Sequence, residues 1–151
     1  MNGISLDDRD RRILALLARD ARLGLREIGG AVGLSAPAVR DRILRLRQGG
    51  VITGFTADID PRALGYTLEA VVRVEPLPGK LARVRQLLEE TPEVTECLGV
   101  TGEDCFVARL VLRGMADLDR LLGPLHDLAR TSTSLVKTTP IARRPPPVPG
   151  R

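Results

Sequence analysis

Apolar residues recur every three or four positions through the first part of the chain and every second position through much of the remainder. Ile13, Leu14, Leu16 and Leu17 predict a first helix over Asp7–Asp20, whose acids lie near the positive end of its dipole. Arg22–Gly24 interrupts it. A second helix follows from Leu25 to about Val32, with Gly24 at the N-cap and Glu27 three residues on. Gly29-Gly30 inside this helix costs roughly 1 kcal/mol for each glycine relative to Ala, so packing of Ile28 and Val32 has to hold it. Gly33 permits a sharp turn. Ser35 then opens a third helix as its N-cap, with Pro37 in the first turn, where a missing donor is harmless. In this stretch, LSAPAVRDRILRLR, Val39, Ile43 and Leu46 make one buried stripe. Off the stripe lie Arg40, Arg42, Arg45 and Arg47, with Asp41 as the single acid among them. A helix, a short helix, a glycine turn and a third helix with a basic front form a helix-turn-helix, suited to reading a DNA major groove.

The period then changes. Val51–Asp60 (VITGFTADID) offers two short runs around Thr53-Gly54 and predicts a small β-wing. Asp60-Pro61 opens a short linking helix to Leu64-Gly65, the expected domain boundary, with 1–60 before it and 61–65 as the linker. Residues 66–141 read as strand, helix, strand, strand, helix, strand: Tyr66–Val74, Lys80–Glu90, Glu93–Thr101, Cys105–Leu112, Ala116–Arg130 and Thr133–Ile141. This doubled β-α-β pattern predicts a ferredoxin-like βαββαβ domain with a four-stranded antiparallel sheet. The fold class is therefore α+β, a winged helix-turn-helix followed by that domain. The third strand is apolar on both faces, since Phe106, Ala108, Leu110 and Leu112 alternate with Cys105, Val107 and Val111. Two helices cover only one face, so the other argues for a second subunit. The tail at 142–151, ARRPPPVPGR, reads as disordered or polyproline-like.

Composition adjusts this picture. Hydrophobic residues make up 43% of the chain and aromatics 2%, so small aliphatic side chains must fill the cores, which favours oligomerisation. The net charge of +4 permits a nucleic-acid partner. Arg outnumbers Lys 21 to 2, however, which a biased coding composition explains as well as selection for phosphate binding does. Positive charge gathers in residues 1–60 and in the tail, while residues 61–140 carry a slight negative excess. No apolar run reaches the roughly 18 residues of a membrane span. The N-terminus, MNGISLDDRDRR, has no apolar signal core, so a cytoplasmic protein with reduced cysteines is expected.

The chain resembles the Lrp/AsnC (feast/famine) family of bacterial and archaeal transcriptional regulators. The segments that carry the resemblance are LDDRDRRILALLARDAR, VGLSAPAVRDRILRL, GVITGFTADIDPRALG and VTGEDCFVARLVLRG, in that order over roughly Leu6–Ile141. It implies sequence-specific binding of double-stranded DNA by dimers, often assembled into octamers, with an amino acid modulating assembly and affinity. The DNA-reading segment carries over onto Leu25–Leu44, and Ser35, Pro37, Arg40, Asp41, Arg42 and Arg45 are expected at or near DNA. Ser35 and the helix N-terminus suit phosphate, while Arg40 and Arg45 suit guanine edges. The family's effector signature is a Gly, two residues and an Asp at a strand turn. Here it reads Gly102-Glu103-Asp104-Cys105, with Cys105 in the place of the Asp, so Thr101, Gly102, Glu103, Asp104 and Cys105 are the candidate effector-binding residues. A neutral thiol does not pair with a ligand's ammonium as an Asp does. Glu103 or Asp104 could substitute, although strand alternation turns Asp104 to the other face.

Other chemistry is thinly represented. Cys97 and Cys105 flank Thr101 symmetrically, which predicts cross-strand neighbours on one face; two small packed thiols are expected there rather than a metal or redox site. His126 is the single histidine and has no second ligand at metal spacing. No Ser/His/Asp set, phosphate loop or dinucleotide fingerprint is present, so neither an enzyme nor a cofactor is expected. The rival readings are a haem-precursor decarboxylase-like enzyme on the same two-domain plan and an effector-sensing oligomer without specific DNA binding.

Overall fold

The structure is a computed structural model describing residues 4–102 and 104–148. The chain divides into two compact units, one drawn from Met1–Ala57 and Ile141–Arg151, the other from Asp58–Pro140.

In the first unit, α1 spans Asp8–Arg19, α2 Leu25–Val32 and α3 Ala36–Gln48. Asp7 caps α1 through a reciprocal box: its Oδ1 accepts from the Asp10 N–H at 2.7 Å, and Asp10 Oδ2 accepts from the Asp7 N–H at 3.1 Å. Gly24 precedes α2 without a side-chain cap, and Ser35 Oγ accepts from the Ala38 N–H at 3.4 Å to open α3. Ile13, Ile28, Val32 and Val39 form the core, with Leu16, Leu17, Leu23, Leu34 and Ile43 against it. The double glycine of α2 has an asymmetric explanation. A Cβ at Gly29 would lie 2.5 Å from the Leu34 carbonyl oxygen, whereas one at Gly30 would meet nothing within 4 Å. Gly29 therefore lets the chain fold back closely after Gly33, whose φ of 69° makes the left-handed turn.

The expected wing is absent. Val51–Asp60 contains no strand, and most of it is exposed. A two-stranded ribbon is marginal without a packed face to stabilise it, and Phe55, the largest side chain of the segment, is half exposed. Pro145–Val148 of the tail have no regular secondary structure and line an apolar hollow together with Leu14, Leu17 and Phe55.

The second unit begins with a single 3-10 turn at Pro61–Leu64, the linking helix read from the sequence. It continues with β1 (Leu68–Pro76), α4 (Leu81–Glu90), β2 (Val94–Gly99), β3 (Phe106–Leu112), α5 (Ala116–Leu122) and β4 (Ala129–Leu135). The strands lie in the order β2-β3-β1-β4, all neighbours antiparallel, which is the ferredoxin-like arrangement. Ala70, Val72 and Val74 of β1 and Phe106, Ala108, Leu110 and Leu112 of β3 face Val84, Leu88 and Leu125 in one apolar layer. The first two strands are shifted or shortened by up to two residues at their ends, and the last two elements differ more. The second helix was expected to reach Arg130, but it stops at Leu122, because Pro124 has no N–H for the Arg120 carbonyl and its ring crowds the preceding turn. The last strand accordingly starts at Ala129 and ends at Leu135, not at Ile141.

Candidate nucleic-acid interface and effector turn

The buried stripe of α3 fixes what its other faces can do. Val39 and Leu46 are fully buried and Ile43 partly so. Positions three, four and seven apart share a helix face, so Arg40, Leu44 and Arg47 line up on one side, flanked by Pro37 and Asp41. All five are exposed. Among the described residues Arg40, Asp41 and Arg47 make no ion pair, so this side presents two cations whose charge no protein partner neutralises.

Arg42 and Arg45 are placed differently. Arg42 Nη1 donates to Asp7 Oδ2 at 2.6 Å and to Asp10 Oδ1 at 2.8 Å, and Arg45 Nη2 donates to Asp10 Oδ2. Asp10 is completely buried, while the Arg42 and Arg45 side chains are 25% and 47% exposed. A buried carboxylate requires such partners. The hydrogen bond from the Asp10 N–H, and then Arg42, pull the Asp7 carboxyl down to about 2. Burial pushes Asp10 upward, but Arg45, the Asp7 N–H and Arg42 together outweigh it and hold the carboxyl below its ordinary value. The same contacts raise Arg42. Arg12 Nη2 donates to the Ala31 carbonyl at 2.5 Å, a further tie from α1 to the end of α2.

Of the six residues expected at DNA, Ser35 and Pro37 therefore stand at the exposed N-terminus of α3, Arg40 and Asp41 on its outward face, and Arg42 and Arg45 against α1. Leu44 and Arg47 join the outward face although sequence reasoning did not select them. The signal was available in their spacing of four and seven residues from Arg40.

The turn between β2 and β3 centres later than the cysteine symmetry suggested. Gly99 pairs with Phe106 and Cys97 with Ala108, and the Val100 N–H donates to the Cys105 carbonyl at 3.0 Å. Cys97 and Cys105 are thus not opposite each other, because the turn is built around Gly102, with φ of 120°, and not around Thr101. Both thiols are free; Cys105 is partly buried, but Cys97 is exposed and not packed as expected, because it lies on the edge strand β2. Partial burial, and then the charge of Glu89, push the Cys97 thiol up and make it a poorer nucleophile. Thr101 and Gly102 are exposed, and Glu103 lies outside the described residues. Asp104 is half-buried with Oδ2 3.9 Å from Arg73 Nε, and the Cys105 N–H donates to the Val74 carbonyl at 3.1 Å. Asp104 of this turn and Arg73 of the neighbouring β1 set an acid and a base side by side, an arrangement complementary to a zwitterion. His126 is exposed beyond α5. Among the described residues no group of three or more His, Cys, Asp or Glu is placed to hold a metal, and no helix is long and apolar enough to cross a membrane.

Residues 6–47 match a family model described as the AsnC-type helix-turn-helix domain, and residues 69–146 match one described as the Lrp/AsnC ligand binding domain. The chain is 35% identical over 139 residues to the HTH-type transcriptional regulator FL11 of Pyrococcus furiosus, covering 90% of this chain and 91% of that one. It is 38% identical over 146 residues to the HTH-type transcriptional regulator Rv2324 of Mycobacterium tuberculosis, covering 93% and 98%. Among solved structures it is similar to the transcriptional regulator NMB0573 of Neisseria meningitidis in complex with L-Met. There the TM-score is 0.81 and the identity 26%, over 93% of this chain and 94% of that one.

Proposed function

The chain belongs to the Lrp/AsnC family of helix-turn-helix transcriptional regulators, and we propose that it binds a specific DNA site through the outward face of α3. The observation that carries this reading is that face itself: Arg40 and Arg47 project unpaired on either side of Leu44, above a helix N-terminus opened by Ser35. Arg40 reads a guanine edge, Leu44 lies against a thymine methyl, and the N–H groups at the start of α3 hold a phosphate. The protein acts in the cytoplasm as a dimer or a higher assembly. Val71, Val107 and Val111, with Leu98 at 52% exposure, lie on the sheet face turned away from α4 and α5. Pairing of two such faces sets two copies of α3 at the spacing of a palindromic site. Glu69 and Arg109, 3.3 Å apart on the same face, add a charged pair to that contact.

An amino acid is the effector, received at Thr101, Gly102, Asp104 and Cys105, with Asp104 facing its ammonium and Arg73 its carboxylate. Support comes from the Asp104–Arg73 pairing and from the similarity to a regulator solved with L-Met. The relatives are named as transcriptional regulators, which favours this reading over a decarboxylase-like enzyme.

A salt-titrated binding measurement against the DNA flanking the protein's own gene, with random DNA alongside, tests the DNA claim. A preference of 10³-fold or more over random DNA is the order expected of a specific regulator. Equal affinity for both DNAs, falling with salt in the same way, would contradict it.

A further inference from the structure

On the reading of α3 as the DNA-contacting helix, we propose that Asp7 and Asp10 of α1 are positioning residues for sequence discrimination. They draw Arg42 and Arg45 away from phosphate and leave Arg40, Leu44 and Arg47 to read.

Helix α1 does not need Arg42 or Arg45 for its own start. The reciprocal box between Asp7 and Asp10 already satisfies the first N–H groups of the helix. Arginines from a helix 32 and 35 residues away add nothing to that cap. Yet Asp10 is the one charged side chain buried among the described residues, and both of its oxygens accept from α3. Among the described residues Asp10 is also the only ion partner of Arg45. The two acids and two bases cancel, so the recognition helix faces outward with fewer uncompensated cations than its sequence suggests.

This changes the two modes of DNA binding unequally. Binding to random DNA grows with the number of cations that reach phosphate, whereas discrimination depends on groups that reach base edges. Arg42 and Arg45 remain partly exposed, so their release would place two long cationic side chains on the rim of the reading face. Holding them lowers the random mode more than the specific one.

The test compares the full-length protein with Asp10→Asn and Asp7→Ser in salt-titrated binding to its preferred site and to random DNA. Ser at position 7 retains a side-chain N-cap, so α1 keeps its start, and unchanged far-ultraviolet circular dichroism verifies that. Asp10→Asn is expected to steepen the salt slope on random DNA by about 0.9 for each freed arginine. It should also lower the ratio of specific to random affinity by roughly three- to tenfold. Asp7→Ser should move both quantities in the same direction by less, and adding Arg42→Gln to it should restore the wild-type slope. A role in packing alone would weaken both DNAs together at an unchanged slope and ratio, which would overturn the inference while leaving the regulator reading intact. A wild-type protein without sequence preference would overturn both.

Discussion

In the unit that carries the sheet, every buried side chain among the described residues is apolar; in the helical unit one of them is the carboxylate of Asp10. The sheet unit closes a continuous layer of Val, Leu, Ala and one Phe between its strands and helices. The helical unit has only a handful of aliphatic residues at its centre, and part of what fixes α3 against α1 is charge. The first arrangement depends on shape and volume, and the ion pairs of that unit, Arg120 with Glu93 and Asp117 among them, lie outside the apolar layer. The second depends on ionisation and on partners that DNA phosphates can rival. The division leaves the surface charge of α3 set by its neighbours on α1, while the layer under the sheet carries no charge.

The comparison is broken most severely by removing volume from the sheet. Leu110→Ala is expected to cost about 2–5 kcal/mol, measured as a shift of the denaturation midpoint. The shift should be the same at low and high salt, because no charge is involved. Next in size are the glycines of α2. Gly29→Ala forces a methyl toward the Leu34 carbonyl and should destabilise the helical unit by about 1–3 kcal/mol, whereas Gly30→Ala, in open space, should stabilise it by roughly 0.5–1 kcal/mol. Thermal melts of the two variants should therefore move in opposite directions. The smallest effect is in pH. Asp7 is lowered from 3.8 to about 2 in the folded unit, and Asp10 is lowered as well. Depressed carboxyls stabilise the fold above their unfolded values, so this contribution is complete above about pH 4 and is lost as pH falls through about 2. Asp7→Asn should flatten that part of the melting-temperature profile, while Leu110→Ala should leave its shape unchanged.

Much of this division was legible in the residues. The spacing of Ile28 and Val32 bounded α2 at Leu25–Val32, the stripe from Ile13 to Leu17 placed α1 within a residue of both ends, and Ser35 marked the start of α3. The alternation in β1 and β3 gave the buried face of the sheet because neither strand contains a proline or glycine within its apolar run. The errors have equally particular causes. Leu118, Leu121, Leu122 and Leu125 kept a helical period that carried the reading past Pro124, although an interior proline outweighs such a stripe. Val51–Asp60 had the composition of a hairpin, but two short strands with no third strand beside them are marginal. The turn between β2 and β3 was located through its Gly, while its centre depended on a register that the cysteines misrepresented. The recognition helix was identifiable from its order in the chain, but the sorting of its arginines was not. Periodicity separates a buried from an exposed side, and it carries no information about acids more than thirty residues away in sequence.

The decisive measurement is the affinity of the Arg40→Ala protein for its preferred site and for a set of single-base variants of it, at fixed salt. A loss of about 1–3 kcal/mol on the preferred site is expected, with a relaxed preference at one base position in each half-site and the remaining positions unchanged. A uniform loss across all sequences, with a shallower salt slope, would make Arg40 a phosphate contact and contradict the assignment of the reading face.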